Sequence, residues 1–173
     1  IPGPGDQMHT GYAGDYVDNQ IIKEVQSKYN GAQITKDMAR RWKEQHSFVS
    51  TGAPEEPVLV DFSIDGKAMT LDITDCIQRA CESIVDPIVE NVKVLIAESN
   101  PEYHDEFRKN MVLAGGGSSI RGLGALIERR LSDMGDVNVH VVDDPVRLGA
   151  MGGLRLAMEV PEEMWKNLTL ASR

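Results

Sequence analysis

The chain has 173 residues, of which 41% are hydrophobic and 26% are charged, and its formal net charge at pH 7 is −9. This length allows one domain or two small lobes with a proper core. The net negative charge argues against sequence-independent binding of DNA or RNA, because such binding needs clustered Lys and Arg. No apolar run approaches the roughly 20 residues of a membrane span, so we expect neither a nucleic-acid partner nor direct membrane insertion.

The beginning of the chain predicts a turn followed by a helix. The letters IPGPGD at 1–6 are typical of a turn, and residues 7–10 are predicted as a strand returning from it. Because the chain opens on Ile1 without Met, we expect a piece cut from a longer protein. A helix is predicted for residues 15–29, since apolar residues recur there at every fourth position and form one core face: Val17, Ile21, Val25 and Tyr29.

A second helix, with two distinct faces, is predicted for residues 35–48. Thr35 can cap it, because its hydroxyl can accept an early backbone N–H. One face is apolar and includes Met38 and Trp42, while the opposite arc is charged and consists of Asp37, Arg40, Lys43 and Glu44. A charged arc of this kind is usually solvated, so the residues alone favour a solvent-facing surface.

A hairpin and a long helical stretch follow. Strands at 58–63 and 68–73 flank an Asp-Gly pair, which is typical of a type I′ turn. Thr74 is predicted to cap a helical stretch that reaches residue 99. Proline is unfavourable inside a helix, so Asp86 is predicted as the N-cap of a new helix with Pro87 at its first position. We expect the seam between two lobes there.

Cysteine and histidine spacing indicates no metal site. Cys76 and Cys81 are the only cysteines, and in a helix their side chains diverge by about 140°. Neither a disulfide nor zinc ligation is therefore expected, and a reducing, cytoplasmic compartment fits best. His104 beside two carboxylates is more typical of a surface helix than of a metal cluster.

The glycine-rich letters MVLAGGGSSIRGL at 111–123 predict a buried strand, a tight turn and a helix over 122–134. A P-loop needs Lys and then Ser or Thr where Leu123 and Gly124 stand, and a dinucleotide fingerprint needs Gly where Ile120 stands. Both fingerprints fail. A ligand-free turn and a nucleotide-contacting loop both remain open. A further strand is predicted at 137–142 and a glycine-containing helix at 147–159.

Several stretches together carry a family resemblance. The letters VLAGGGSSIRGLGALIERRL resemble the adenosine motif of the actin-like ATPases. The stretches IPGPGDQ, AGDYVDNQI, KEQHSFVS, NPEYHDEFRKN and RLGAMGGLRLAMEVPEEMW are similar to bacterial filament-forming members of that superfamily, nearest to its magnetosome-associated branch. The similarity covers almost the whole chain and is weakest at 58–73.

The resemblance implies an α/β, actin-like (ribonuclease-H-like) ATPase fold that is partial here. One large lobe would carry an inserted smaller lobe with helices and a β-hairpin. The core lobe, an incomplete subdomain IIA, would comprise residues 1–13 and 87–162. The inserted lobe, subdomain IIB, would comprise 14–86, with 163–173 as a C-terminal tail. The residues themselves predict a last turn at 161–167, with Trp165 as its anchor.

The resemblance also implies ATP or ADP as cofactor, with Mg²⁺ in the full-length protein. Gly115, Gly116, Gly117, Ser119 and Ile120 would line the adenine, although Ser119 and Ile120 replace larger side chains common in actin. Arg40, Lys43 and Glu44 would cover the base and ribose. Neither D-x-G-T phosphate loop of the family occurs in the sequence. We therefore expect no catalytic or metal-binding residue, and no ATP turnover by this chain alone, although the parent protein would be an ATPase.

The implied function is the nucleoside-binding half of a cytoskeletal filament protein that polymerises with ATP and organises magnetosomes. Its partners would be further copies of itself and possible magnetosome-associated proteins. Two other interpretations stay open: a nucleotide-free module that docks on filaments or other proteins, and a fragment of a chaperone-type ATPase of the same fold.

Overall fold

The computed structural model describes residues 7–64, 66–161 and 164. The predicted turn at 1–6, Trp165 and all of the predicted tail except Met164 lie outside this range. The described helices are α1 (Gly14–Lys28), α2 (Lys36–His46), α3 (Thr74–Glu82), α4 (Val85–Glu98), α5 (His104–Lys109), α6 (Leu123–Leu131) and α7 (Leu148–Glu159). The strands are β1 (Leu59–Ile64), β2 (Lys67–Asp72), β3 (Met111–Leu113) and β4 (Val139–Val141). Residues 7–10, predicted as a strand, adopt no regular structure.

Helices α1, α2 and α3 and the β1–β2 hairpin enclose one part of the core. The apolar stripe of α1 is buried as its spacing predicts, with Val17, Ile21 and Val25 at most 1% exposed. Thr35 caps α2 as expected, since its Oγ1 accepts a hydrogen bond from the Met38 N–H at 3.2 Å. In the antiparallel hairpin Ile64 pairs with Lys67, and Gly66 has the positive φ, +76°, that this tight connection requires.

The boundaries of α3 and α4 correct two sequence predictions. Helix α4 begins at Val85, so Asp86 is not its N-cap and Pro87 is not its first residue. Pro87 still costs no hydrogen bond, because N–H groups of the first turn have no partner within the helix. Helix α3 begins at Thr74, so Thr74 is its first residue and not its N-cap, which is Ile73. The Oδ1 of Asp72 accepts from the Thr74 N–H at 2.9 Å and from the Thr74 hydroxyl at 2.6 Å.

A parallel strand pair and a crossing helix form the other part of the core. Strands β3 and β4 pair in parallel, with Met111 opposite Val139, and α6 connects them through short 3₁₀ turns. Helix α6 buries Leu123, Leu126, Ile127 and Leu131 against α4 and β4. This parallel β-α-β unit agrees with the predicted α/β class.

Every residue of helix α7 is exposed in the described part of the chain, whereas each of the other described helices has at least one buried or half-buried residue. Glycine weakens a helix by about 1 kcal/mol, so the glycines of this helix predict a close approach by another backbone or a ligand. A β-carbon on any of the three would meet no described heavy atom within 4 Å. No helix among the described residues is long and apolar enough to cross a membrane.

Candidate functional site

The glycine turn follows β3, beside the end of β4. The Gly115 N–H donates to the Pro145 carbonyl at 3.1 Å, which joins the two strand ends. Ser118 folds back on the turn and donates both its N–H (3.0 Å) and its hydroxyl (2.7 Å) to the Gly115 carbonyl. Ligands of open α/β sheets bind outside the carboxyl ends of parallel strands, and the glycine turn occupies such an edge.

The three glycines of the turn differ in whether the described fold requires glycine at their position. Gly115 has φ of +86°, a conformation that other residues rarely adopt. Gly116 and Gly117 have no positive φ, and a β-carbon on either would meet no described atom within 4 Å. The conformation and packing of the described chain therefore give no reason for glycine at these two positions. Their backbone is open to close approach from outside.

The end of α2 is joined to the chain just beyond the glycine turn. The Arg121 N–H donates to the Ser47 carbonyl at 3.2 Å, and the Val49 N–H donates to the Arg121 carbonyl at 3.0 Å, which forms a parallel bridge between Phe48 and Arg121. Thr51 extends the contact, since its hydroxyl donates to the Gly122 carbonyl at 2.6 Å. We call these contacts the backbone ladder between 47–51 and 121–122. The end of α2 is thus tied to the chain that leaves the glycine turn.

The charged arc of α2 is not simply solvated. Lys43 has only an 18% exposed side chain, and its ammonium Nζ lies 2.7 Å from Asp18 Oδ1 and donates to the Gly14 carbonyl at 2.9 Å. Arg40 is 48% exposed; its Nε lies 3.8 Å from Asp18 Oδ2. Glu44 is exposed. The arc therefore offers one internally paired ammonium, one half-exposed guanidinium and one exposed carboxylate.

Two acidic residues of α1 neutralise these cations. Asp18 is fully buried, whereas Asp15 lies at the surface and ion-pairs with Lys36 at 3.0 Å and Arg40 at 3.6 Å. The hydrogen bond and charge of Lys36, assisted by the charges of Arg40 and Lys43, lower the pKa of Asp15. The sequence analysis missed Asp18. Its signal was an acid inside the apolar stripe, three positions before Ile21.

A cavity of about 550 Å³ lies beside the turn. It takes in Ser119 and Ile120 from the predicted set, together with the loop after β4 that includes Asp143 and Pro145. Ile120 itself is only 5% exposed. The cavity lining does not include the three glycines of the turn or Arg40, Lys43 and Glu44. Sequence analysis also missed the contribution of the β4 loop, whose signal was an Asp-Asp-Pro run directly after a predicted strand.

A second cavity of similar volume is mostly apolar and contains no predicted site residue. It lies between α4, Phe107 and β3. Within the described ranges, no group of three or more His, Cys, Asp or Glu side chains could hold a metal ion. Among the described residues, the groups available to a ligand are therefore the open backbone of the glycine turn and the paired charges of α1 and α2.

The parallel β-α-β unit with a glycine turn at its strand edge, together with helices α1, α2 and α3, belongs to a partial actin-like fold. The sequence pattern of the MreB/Mbl protein family matches residues 7–164, and the chain belongs to that family. The actin-like protein MamK of Paramagnetospirillum magneticum (strain AMB-1) is 39% identical over 168 residues, which is 97% of this chain and 48% of MamK.

Two solved structures agree with this assignment. A non-polymerising mutant of MamK bound to AMPPNP superposes with a TM-score of 0.84 at 40% identity, over 92% of this chain and 48% of that one. The MamK double helical filament gives 0.86 at 39% identity, over 93% and 49%. The chain thus spans about half the length of these MamK relatives. The predicted resemblance and the predicted partial actin-like fold are both confirmed.

Proposed function

We propose that this chain supplies the nucleoside-contacting half of an ATP-dependent, actin-like filament protein. The single observation that carries the proposal is the open backbone at Gly116 and Gly117, in a turn whose continuation is hydrogen-bonded to the loop after helix α2. Two relatives support it, since one MamK structure contains AMPPNP and another is a double helical filament. A bound nucleoside would explain why positions 116 and 117 are glycine, which the conformation and packing of the described chain do not explain.

The proposed contacts divide between the turn and the helix. The main chain of Gly115, Gly116 and Gly117, with Ser119 and Ile120, lines the adenine; Ile120 contributes chiefly backbone, because its side chain is buried. Arg40, Lys43 and Glu44 cover the base and ribose. The charged ends of Arg40 and Glu44 can hydrogen-bond base edges and hydroxyls, whereas Lys43, whose ammonium is held by Asp18 and Gly14, offers its alkyl stem to pack on the ring.

The proposed division into lobes follows the resemblance. Residues 14–86 would form the inserted lobe, with α1, α2, α3 and the hairpin, and residues 1–13 and 87–162 the core lobe. The backbone ladder between 47–51 and 121–122 would join the two lobes beside the nucleoside.

Catalysis would require more than these residues. Phosphoryl transfer depends on positioned phosphates and on charge stabilisation by Mg²⁺. The full-length protein would bind ATP with Mg²⁺ and hydrolyse it, whereas this chain alone would bind nucleotide weakly and release no phosphate. We further propose a cytoplasmic filament that associates with itself and with magnetosome-associated proteins.

The test uses the full-length gene product and two matched variants. Gly117→Val places a branched side chain over the turn, and Gly11→Val makes the same change at another glycine with open space around it. We expect Gly117→Val to bind MANT-ATP, a fluorescent ATP analogue, at least about tenfold more weakly, or ~1.4 kcal/mol. It should also lose ATP-dependent pelleting, with an unchanged melting temperature. Gly11→Val should behave as wild type.

The opposite result would favour a protein of another class. If both variants pellet equally well and do so without ATP, the glycine turn is not a nucleotide site. The chain would then be a nucleotide-free interaction module.

A further inference from the structure

We propose that Asp18 is a positioning residue of the nucleoside site, because its buried carboxylate holds the cations of α2 in the orientation that ligand binding needs. This inference rests on the proposed function. Asp18 lies on α1 and is not among the residues expected to touch the nucleotide. It would act through Lys43 and Arg40.

The burial of Asp18 is the first argument. Its side chain is 0% exposed, and neither of its oxygens accepts a hydrogen bond of good geometry from any described group. A buried charge persists in a folded protein when an opposite charge compensates it. The nearby cations are Lys43, at 2.7 Å, and Arg40, at 3.8 Å. The compensation of Asp18 therefore comes from α2.

The second argument is that a small space is built for the Lys43 ammonium. Its Nζ contacts Asp18 Oδ1 and donates to the Gly14 carbonyl, so it is held at two points of α1. A β-carbon on Gly14 would lie 3.2 Å from that Nζ, so glycine leaves room for the ammonium. Gly14 and Asp18 together fix the ammonium end of the Lys43 side chain, which would otherwise be flexible.

Arg40 gives the third argument. Its guanidinium shares Asp18 with Lys43 and also contacts Asp15 at 3.6 Å, yet half of its side chain stays exposed. Asp18 thus orients two cations: the ammonium of Lys43, which is held in place, and the guanidinium of Arg40, which still faces solvent. We infer that Arg40 presents its outer edge to the ligand, while Lys43 and Asp18 set its position.

The experiment measures MANT-ATP binding and thermal unfolding of the full-length protein with Asp18→Asn. This change keeps the shape of the side chain and removes its charge. We expect at least tenfold weaker binding at a temperature where both proteins are folded. The effect of Arg40→Gln should be smaller in the Asp18→Asn background than in wild type. The control is Asp37→Asn, which removes the same charge from an exposed position of α2 and should leave binding unchanged.

Gly14→Ala is a second variant that alters no charge. It pushes the Lys43 ammonium by a few tenths of an ångström at a helical position where alanine is favoured. We expect it to fold and to bind severalfold more weakly, so it tests the proposal even if Asp18→Asn does not fold.

The outcomes separate the two proposals. Normal binding by Asp18→Asn with a lowered melting temperature would show a purely structural ion pair and overturn the positioning role. If Asp18→Asn does not fold, normal binding by Gly14→Ala overturns it instead. Failure of the wild-type protein to bind MANT-ATP would overturn both this inference and the proposed function.

Discussion

Gly52 and Gly122 lie backbone against backbone where the loop after α2 meets the start of α6. A β-carbon on Gly122 would fall 2.4 Å from the Gly52 nitrogen, and one on Gly52 would fall 2.5 Å from the Arg121 carbonyl carbon. Gly122 also has φ of +81°. Both crowding and backbone conformation therefore require glycine at position 122, and crowding alone requires it at position 52.

This contact predicts a large loss of stability for Gly122→Ala. Overpacking and a left-handed alanine each cost about 1–3 kcal/mol, so we expect the free energy of unfolding to fall by about 3 kcal/mol. Urea unfolding followed by circular dichroism measures it. Gly116→Ala is the control, because its β-carbon meets open space, and it should stay within about 0.5 kcal/mol of wild type. Equal stability of the two variants would refute the close contact.

Asp75 predicts how stability changes in acid. Burial of this carboxylate opposes ionisation, but hydrogen bonds from Lys28 (2.6 Å) and Arg79 (3.0 Å) outweigh it and lower the pKa from 3.8 to about 2. The stabilisation is therefore complete above pH ~4 and lost as the pH falls through 2. Since the Asp75 side chain is 47% exposed, screening leaves a contribution of about 1 kcal/mol.

The measurement is the melting temperature between pH 2 and pH 5. In wild type it should fall through this range more steeply than in Asp75→Asn, which lacks the titrating group. Asp61→Asn lies on the exposed face of β1, where Asp61 accepts a hydrogen bond from Thr70 and has no ion pair among the described residues, and it should retain the wild-type slope. Parallel curves for wild type and Asp75→Asn would rule out the Asp75 contribution.

The two cysteines should be protected in the native protein. Both side chains are free and fully buried. Burial raises the pKa of the Cys76 thiol to about 11, with help from the Asp75 charge, and burial also raises the pKa of Cys81 to about 11. Thiolate is the reactive form, so iodoacetamide at pH 8 should modify neither residue until urea unfolds the chain. Mass spectrometry counts the added groups. Rapid native labelling at either cysteine would contradict the packing of α3.

The hydrogen bonds of Asp72 to Thr74 at the start of α3 can be tested. Removing the Asp72 carboxylate with Asp72→Ala should cost about 1 kcal/mol in unfolding free energy, as for other side chains that accept a hydrogen bond from a free N–H of the first helical turn. Thermal or urea unfolding gives the value. Asp61→Ala on the same hairpin is the control and should cost less than half as much. If the two variants lose equal stability, the hydrogen bonds of Asp72 do not stabilise the start of this helix.

Local pattern predicted the helices and the hairpin well, because apolar spacing and an Asp-Gly turn depend on neighbours in sequence. It misplaced the start of α4, since Pro87 is compatible with any first-turn position and its local sequence does not say which. The environment of the charged arc of α2 was harder to predict from local sequence. Whether Lys43 is solvated depends on Asp18, 25 positions earlier on another helix, and that contact has no local signature.

The glycine turn shows the same limit. Three consecutive glycines look alike in sequence, yet Gly115 is needed for its φ while Gly116 and Gly117 are not. Only the arrangement of β3, β4 and the surrounding side chains separates the two cases. The family resemblance predicted the overall fold, but only the backbone conformation and the packing around each position show where glycine is required.

The ladder of main-chain hydrogen bonds between Ser47, Val49 and Arg121 has a mechanical consequence. Because these bonds use main-chain atoms, the side chains on this surface can change in evolution without removing the link between the end of α2 and the chain after the glycine turn. In the proposed nucleoside site, this link would hold the two sides at a fixed separation before a ligand binds.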